Sequence, residues 1–299
     1  MSTKVSTPEM KSLHFQPRTP ATTTGDKVVG AVSHTALTIW TLIVILPLLW
    51  TFMSSFKTSS EIFASPFALP GEWKLDNYVK AWSEAGIGSA FLNSVLVVAV
   101  ALVIVMVLGA MCAYVLARYT FRGGSRAIYY LMLAGLTFPI FLAMVPLFFV
   151  LRNMGLLNTL PGLILVYVGF ALPFTVFFLF SFFKSLPHEI TEAAALDGAG
   201  GEWRTFFQVM LPMAKPGLAS VAIFNFLGLW NQFLIPVSIN AAGPRVLSQE
   251  LAAFAGQMGY AVDYGALFAA VSVTVIPVLI VYVIFQRQLQ GSVSQGTSK

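Results

Sequence analysis

Charge is scarce in this sequence, and cysteine is nearly absent. Asp, Glu, Lys and Arg together make 10% of the 299 residues, where a soluble domain carries ~25%. The hydrophobic share is 57% and the mean hydropathy +0.81. A core able to hide that much apolar surface from water would need a far larger protein, so lipid is the implied solvent. The single Cys112 excludes an intramolecular disulfide, and its apolar surroundings mark it as a small hydrophobe. Only three histidines occur, His14, His34 and His188, and no His–Glu–His spacing suggests zinc. No Gly-x-x-x-x-Gly-Lys loop is present, so the chain does not hold ATP by that device. The balance of 17 basic against 12 acidic residues is positive. The basic residues are scattered through loops, however, without the stripe and interleaved aromatics that nucleic-acid binding requires.

What the chain does have is long apolar runs. Six are able to span ~30 Å of hydrocarbon: Ala36 to Phe56, Ala90 to Leu116, Ile128 to Leu151, Leu160 to Phe183, Leu218 to Ile239 and Ala266 to Phe285. None contains Asp, Glu, Lys or Arg, so none offers the paired ionisable groups of an intramembrane protease or transferase. Several contain proline (Pro47, Pro139, Pro146, Pro173, Pro236, Pro277), which membrane helices tolerate as kinks and soluble helices do not. The organisation expected is a disordered cytoplasmic tail at 1–33, a first transmembrane helix at 34–56 and an extracytoplasmic loop at 57–89. A transmembrane domain follows over 90–287, with a polar loop at 184–217, and a cytoplasmic tail at 288–299. The polar start predicts no cleavable signal peptide, the first run serving as an uncleaved anchor.

Lysine and arginine set the orientation. One set of flanking segments holds Lys4, Lys11, Arg18, Lys27, Arg118, Arg122, Arg126, Lys184, Arg204, Lys215, Arg287 and Lys299. The other holds only Lys57, Lys74, Lys80, Arg152 and Arg245. The richer side is the inner one, so both termini and the 184–217 loop are expected in the cytoplasm.

That loop carries the most specific pattern of the chain: Pro187-His188-Glu189-Ile190-Thr191-Glu192-Ala193-Ala194-Ala195-Leu196-Asp197-Gly198, running on to Leu211-Pro212. It reads as a short helix. Pro187 suits a first turn, and Gly198 suits an end that needs positive φ. Glu189 and Glu192 lie near the positive end of the helix dipole. Glu189, Glu192 and Ala193, at i, i+3 and i+4, share a small acidic face that a partner could approach closely. Glu192-Ala193-Ala194, Gly198 and Leu211-Pro212 together resemble the Glu-Ala-Ala loop of binding-protein-dependent ABC importer permeases. Ten residues, Ala199 to Gln208, separate Gly198 from Val209-Met210-Leu211-Pro212, one more than that family usually has. The extra residue falls near Gly200-Gly201, where a flexible turn absorbs it.

The resemblance extends over about residues 36–287, through Asp76-Asn77-Tyr78, Phe91-Leu92-Asn93-Ser94, Gly109 to Tyr114, Asn153 to Thr159 and Trp230 to Pro236. These segments look like the smaller permease subunit of a maltose-type carbohydrate importer. The resemblance implies an all-α integral membrane protein of the type I ABC importer permease fold, with six transmembrane helices and a cytoplasmic coupling helix. It implies a bacterial or archaeal cytoplasmic membrane. It implies as partners a second permease subunit, two ATP-hydrolysing subunits and an extracytoplasmic sugar-binding protein, the last met by the loop around Ala241 to Asp263. It implies no cofactor on this chain, ATP and Mg being held by the ATPase. Glu189, Glu192 and Asp197 would then make the charged contacts to the ATPase, and Ala193, Ala194 and Gly198 the close fit.

A path for a neutral polyhydroxyl solute would use amides and aromatic rings. Asn93, Asn225, Gly228, Asn231 and Gln232 are the candidates, Asn225 and Gln232 being seven apart and so on one helical face. Interhelical hydrogen bonding is the competing role for each of them. Two other functions stay open: a permease of the same superfamily for another solute (amino acid, peptide or polyol), and a secondary transporter working without ATP.

Overall fold

A computed structural model describes residues 24–119, 124–196, 201–257 and 263–295. The chain divides into two units, Met1–Leu49 and Trp50–Lys299. The described part of the first unit is helix. It belongs to α1 (Thr24–Ser54), which continues into the second unit. The second unit contains α2 (Ser59–Ala64), α3 (Asp76–Val79) and a π-helical turn at Lys80–Glu84. After them come α4 (Ile87–Arg118), α5 (Gly124–Thr137), α6 (Ile140–Asn153) and α7 (Leu160–Ser185). Beyond these lie α8 (Glu189–Leu196), α9 (Glu202–Met213), α10 (Lys215–Trp230), α11 (Leu234–Ile239), α12 (Leu247–Gln257) and α13 (Tyr264–Gln295). The described residues include no strand.

Four of these helices are long and apolar enough to cross a bilayer, and six crossings result if two bent pairs each count as one. The third predicted run is such a pair: α5 and α6 meet at 106°. The break falls at Pro139, whose φ of −66° and ψ of 121° start α6 afresh. A proline disfavours helical geometry in the residue before it, here Phe138. The fifth run also departs from a single span. Its helix α10 ends at Trp230, and α11 forms separately after a break. On its other side α10 meets α9 at 76°. Helix α1 starts ten residues before the predicted span; residues 1–23 of the expected tail lie outside the described residues. Helix α13 likewise runs on to Gln295, well past the predicted end at Phe285. A helix once nucleated adds a hydrogen bond per residue, so polar flanks without a proline extend both.

The core is built on α4 and α7, which form the most extensive helix pair. Close approach is possible because Gly109 of α4 sits on Thr175 of α7, where a Cβ would collide with the threonine methyl. Towards one end, Val97, Ala101, Leu163, Tyr167, Leu229 and Trp230 form one buried cluster. Towards the other, Ala113, Tyr114, Leu179, Phe183, Phe206 and Met210 form a second. Helix α10 packs against α4, α7 and α13.

The turn between α6 and α7 contains the chain's one described non-glycine residue with positive φ, Asn158 at 60°, beside Gly155 at 68°. Asparagine enters this region more readily than other side chains do. Here Asn158 Oδ1 accepts from Ala242 N at 3.0 Å, and Asn158 N donates to Ile239 O at 3.0 Å. Thr159 Oγ1 then caps α7 by accepting from Gly162 N at 3.1 Å.

Candidate functional site

Helix α8 forms where the sequence predicts it, and its two faces differ. Glu189, Glu192 and Ala193 are exposed, while Ile190 and Ala194 turn inward, Ala194 being 6% exposed. The i, i+4 spacing of Ile190 and Ala194 places both on one stripe. Ile190 packs on the Phe183–Phe206–Met210 cluster, and Thr191 Oγ1 lies 4.0 Å from Met210 Sδ. Ala194 therefore fits against this chain's own core, unlike Ala193. Asp197 and Gly198 lie outside the described residues. Leu211 is partly buried on the same cluster, and Pro212 is exposed. Pro212 sits in the last turn of α9, just before the elbow at Ala214 (φ −80°, ψ 1°).

Two attachments that sequence reasoning missed hold α8 and α9 to α4. Arg118, the last residue of α4, donates from Nη2 to Leu186 O at 3.0 Å and from Nη1 to Pro187 O at 3.4 Å. It grips the peptide immediately ahead of α8. In the sequence Arg118 reads only as a topology charge, because its partners lie 68 and 69 residues away. Second, Tyr119 hydrogen-bonds Glu202 at the start of α9 and lies 3.3 Å from the Tyr114 hydroxyl. Burial, then these hydrogen bonds, push the Tyr119 phenol far above its ordinary value, so it stays a neutral donor. Beside them a crevice of about 330 Å³ is lined by Met111, Tyr114, Val115, Glu202, Trp203 and Phe206. At its rim Trp203 and Phe207 stack with ring centroids 6.1 Å apart, both exposed.

The path candidates have different surroundings. Asn225 is buried, and its Nδ2 donates to Thr175 Oγ1 at 2.7 Å, from α10 to α7. Gln232 lies beyond the end of α10, so the seven-residue spacing does not put it on Asn225's face. Its backbone carbonyl accepts from Ser248 Oγ at 2.6 Å. Asn231 Nδ2 returns to Leu227 O at 2.8 Å, satisfying the end of α10. Gly228 is exposed, with open space where a Cβ would stand. Asn93 donates to Arg245 O at 2.9 Å, and its neighbour Ser94 accepts from Leu247 N at 2.8 Å.

The far ends of the helices carry their own polar framework. Asn77 is buried and its Nδ2 donates to Ser55 O and Lys57 O, both at 2.9 Å. Tyr78 Oη lies 2.8 Å from Ser55 Oγ. Lys80 pairs with Asp263 at 2.9 Å, tying the π-helical turn to the start of α13. The 57–89 segment, predicted as a loop, is thus largely folded. Much of its order comes from partners 20 to 183 residues away, which local patterning does not reveal. No group of His, Cys, Asp and Glu able to hold a metal occurs among the described residues.

With this geometry in place, the likeness to known proteins is informative. The family described as "binding-protein-dependent transport system inner membrane component" matches residues 105–295. The diacetylchitobiose uptake system permease protein NgcG of Streptomyces coelicolor is 64% identical over 278 residues, 93% of this chain and 91% of that protein. The trehalose transport system permease protein SugB of Mycobacterium tuberculosis is 35% identical, over 85% of this chain and 92% of its own length. Among solved structures, a chain of a bacterial ABC transporter that imports the acidic polysaccharide alginate superposes with a TM-score of 0.76. That match covers 90% of this chain and 99% of the other, at 24% identity, and supports the fold.

Proposed function

Because the chain belongs to the family of binding-protein-dependent transport system inner membrane components, we propose that it is the membrane-spanning subunit of an ATP-driven importer of oligosaccharides. A β-linked disaccharide of N-acetylglucosamine is the first cargo to test. The observation that carries the cargo is the 64% identity, over 93% of the chain, to a permease of a diacetylchitobiose uptake system. In this reading the part of this chain is conformational.

In this reading α8 is the piece that meets the ATP-hydrolysing subunit, in the cytoplasm. Its exposed stripe of Glu189, Glu192 and Ala193 faces the partner, while Ile190 and Ala194 fix it to this chain. Arg118 and the Tyr119–Glu202 contact make α8, α9 and the end of α4 one body. Closure of the ATPase pair displaces that body, and α7 and α10, which flank it in sequence, change their tilt. Such a switch needs contacts that differ between two states and no step on the substrate. ATP and Mg stay on the partner subunit. A second permease subunit completes the path, and an extracytoplasmic binding protein delivers the sugar. The twelve-to-five bias of Lys and Arg supports both termini lying on the α8 side.

The test is co-expression with an ATP-hydrolysing subunit and a second permease subunit, purification, and reconstitution with a sugar-binding protein. Diacetylchitobiose should stimulate ATP hydrolysis and enter the vesicles only when ATP is present. Glu192→Arg should uncouple the two, with assembly retained. Solute movement by this chain alone down a gradient would overturn the reading in favour of an ATP-independent carrier. Stimulation only by an amino acid, peptide or polyol would overturn the cargo.

A further inference from the structure

The segment between α2 and α3 turns a set of large apolar side chains outward. Phe67 is 86% exposed, Leu69 77% and Trp73 63%, with Phe63 and Leu75 exposed beside them. The segment is nonetheless well ordered by internal bonds. Pro66 O accepts from Trp50 Nε1 at 2.8 Å and from Lys57 Nζ at 3.1 Å, and Ser65 O accepts from Lys57 Nζ at 3.1 Å. Lys57 is almost completely buried by this arrangement. Further along, Lys74 N donates to Phe56 O at 2.9 Å, and the Phe56 and Trp73 rings meet edge to face at 5.2 Å.

Those bonds fix a depth. Trp50 lies within α1, four residues before its end at Ser54. At the rise of a helix that is about 6 Å inside the helix end. Pro66 is tied to the Trp50 indole, so Phe67 stands alongside the last turns of α1, not beyond them. The apolar run to which Trp50 belongs is just long enough to span the hydrocarbon, so its last turn lies at the boundary with the headgroups. Exposed aromatic and aliphatic side chains at that level meet lipid, and Trp and Phe favour that boundary.

The charges agree. Glu61 is turned inward, accepting from Thr58 N at 3.0 Å and Gly71 N at 3.2 Å. Glu72 and Lys74 pair with each other. No unpaired charged side chain is left between Thr58 and Leu75 to recognise a soluble protein. We propose that this segment is an interfacial anchor, with Phe67, Leu69 and Trp73 inserted among the lipids of the leaflet at that end of α1. There it fixes the height of the Asn77 and Lys80–Asp263 framework on the membrane. The proposal rests on α1 being a membrane span, and it does not depend on which solute is carried.

The test uses the assembled transporter in lipid nanodiscs on a Cys112→Ser background. Nitroxide labels at Phe67→Cys and Leu69→Cys are compared with one at Glu72→Cys. Collision with membrane-soluble oxygen should exceed collision with a water-soluble nickel chelate severalfold at 67 and 69, and the order should invert at 72. Retained sugar-stimulated ATP hydrolysis shows that the labelled chains are folded. Equal chelate access at all three positions would overturn the proposal. So would protection of 67 and 69 only after the binding protein is added, which would mark a protein-docking surface.

Discussion

The contact between Asn225 and Thr175 separates two roles that the sequence left open for Asn225, solute path or helix glue. Both residues are buried, at 5% and 0% exposure, and the amide donates to the hydroxyl at 2.7 Å. Thr175 Oγ1 in turn donates to Ala171 O at 2.9 Å within α7. The pair is therefore asymmetric. Asn225→Leu leaves the threonine hydroxyl still bonded, and the loss should be that of an average interhelical bond in a membrane, about 0.6 kcal/mol and at most ~1.7. Thr175→Val keeps the shape but strands the amide, whose remaining neighbour is Met106 Sδ at 4.0 Å. An unsatisfied buried donor costs about 1–3 kcal/mol. The threonine variant should thus be the less stable of the two. The double variant should be no worse than Thr175→Val alone, since the stranded amide is gone. Unfolding of the reconstituted complex, followed for all four proteins, gives the cycle. Transport by Asn225→Leu should keep the wild-type KM for sugar, because the amide faces α7 and α4. A raised KM with unchanged stability, or strictly additive losses, would refute the reasoning and return Asn225 to the path.

Three further outcomes follow from the same structure. Arg118→Ala removes both bonds to the Leu186 and Pro187 carbonyls. Charge-assisted bonds of this kind contribute about 1.5–3 kcal/mol, less here for partial exposure. The expected result is ATP hydrolysis that continues while sugar entry per ATP falls, with Arg118→Lys restoring part of it; unaltered coupling in the alanine variant would remove the role. A Cβ on Gly217 would meet the Phe182 ring at 2.7 Å. Gly217→Ala should accordingly destabilise the α7–α10 contact by about 1–3 kcal/mol, read as lowered melting temperature in detergent. Burial pushes the Asp263 carboxyl up, but hydrogen bonds from Lys80 and Ala266 N, with the Lys80 charge, outweigh it and hold the group below 3.8. Lys80, bonded to Asp263, is correspondingly held above 10.5. The stability this pair contributes is present between those values, is lost as pH falls through the depressed Asp263 pKa, and is lost again as pH rises through the elevated Lys80 pKa. Amide exchange at Lys80–Glu84 should be flat in protection from about pH 5 to 9 and rise outside that window, and Asp263→Asn should abolish the acid limb.

What local pattern encodes was legible in the sequence, and what distant contacts encode was not. The exposed stripe of α8 depends only on i, i+3, i+4 geometry, so Glu189, Glu192 and Ala193 could be placed on one face from spacing alone. The inward turn of Ile190 depends on where the Phe183–Phe206–Met210 cluster lies, and no local rule supplies that. Proline marks possible breaks without choosing among them. Pro47, Pro146, Pro173 and Pro277 sit inside continuous helices, whereas Pro139 ends one. The Asn225–Gln232 spacing failed for a similar reason: it assumes a helix that continues past Trp230 to Gln232, and Asn231 and Gln232 are the residues that terminate it. Asn77 was visible only within the Asp76-Asn77-Tyr78 segment of the outer loop, and Asn93 and Ser94 as polar residues at the start of a span. Their work, holding backbone carbonyls and amides of segments 20 to 153 residues away, was not.

The elbow between α9 and α10 decides how movement at α8 travels. A bend of 76° suggests a hinge, yet the backbone stays bonded through it. Ala214 N donates to Met210 O at 3.0 Å, and Leu218 N donates to Ala214 O at 2.8 Å. Ala214 itself is fully buried, so rotation there would have to open the core around Phe206 and Val221. The break between α5 and α6 is different in kind: Pro139 has no N–H to carry a bond across it. Its exposed neighbours Phe138 and Phe141 offer little packing to resist bending. Displacement of α8 should therefore pass through α9 to α10 as through a bent but stiff lever, while α5 and α6 supply the compliance that lets the α4–α7 core follow.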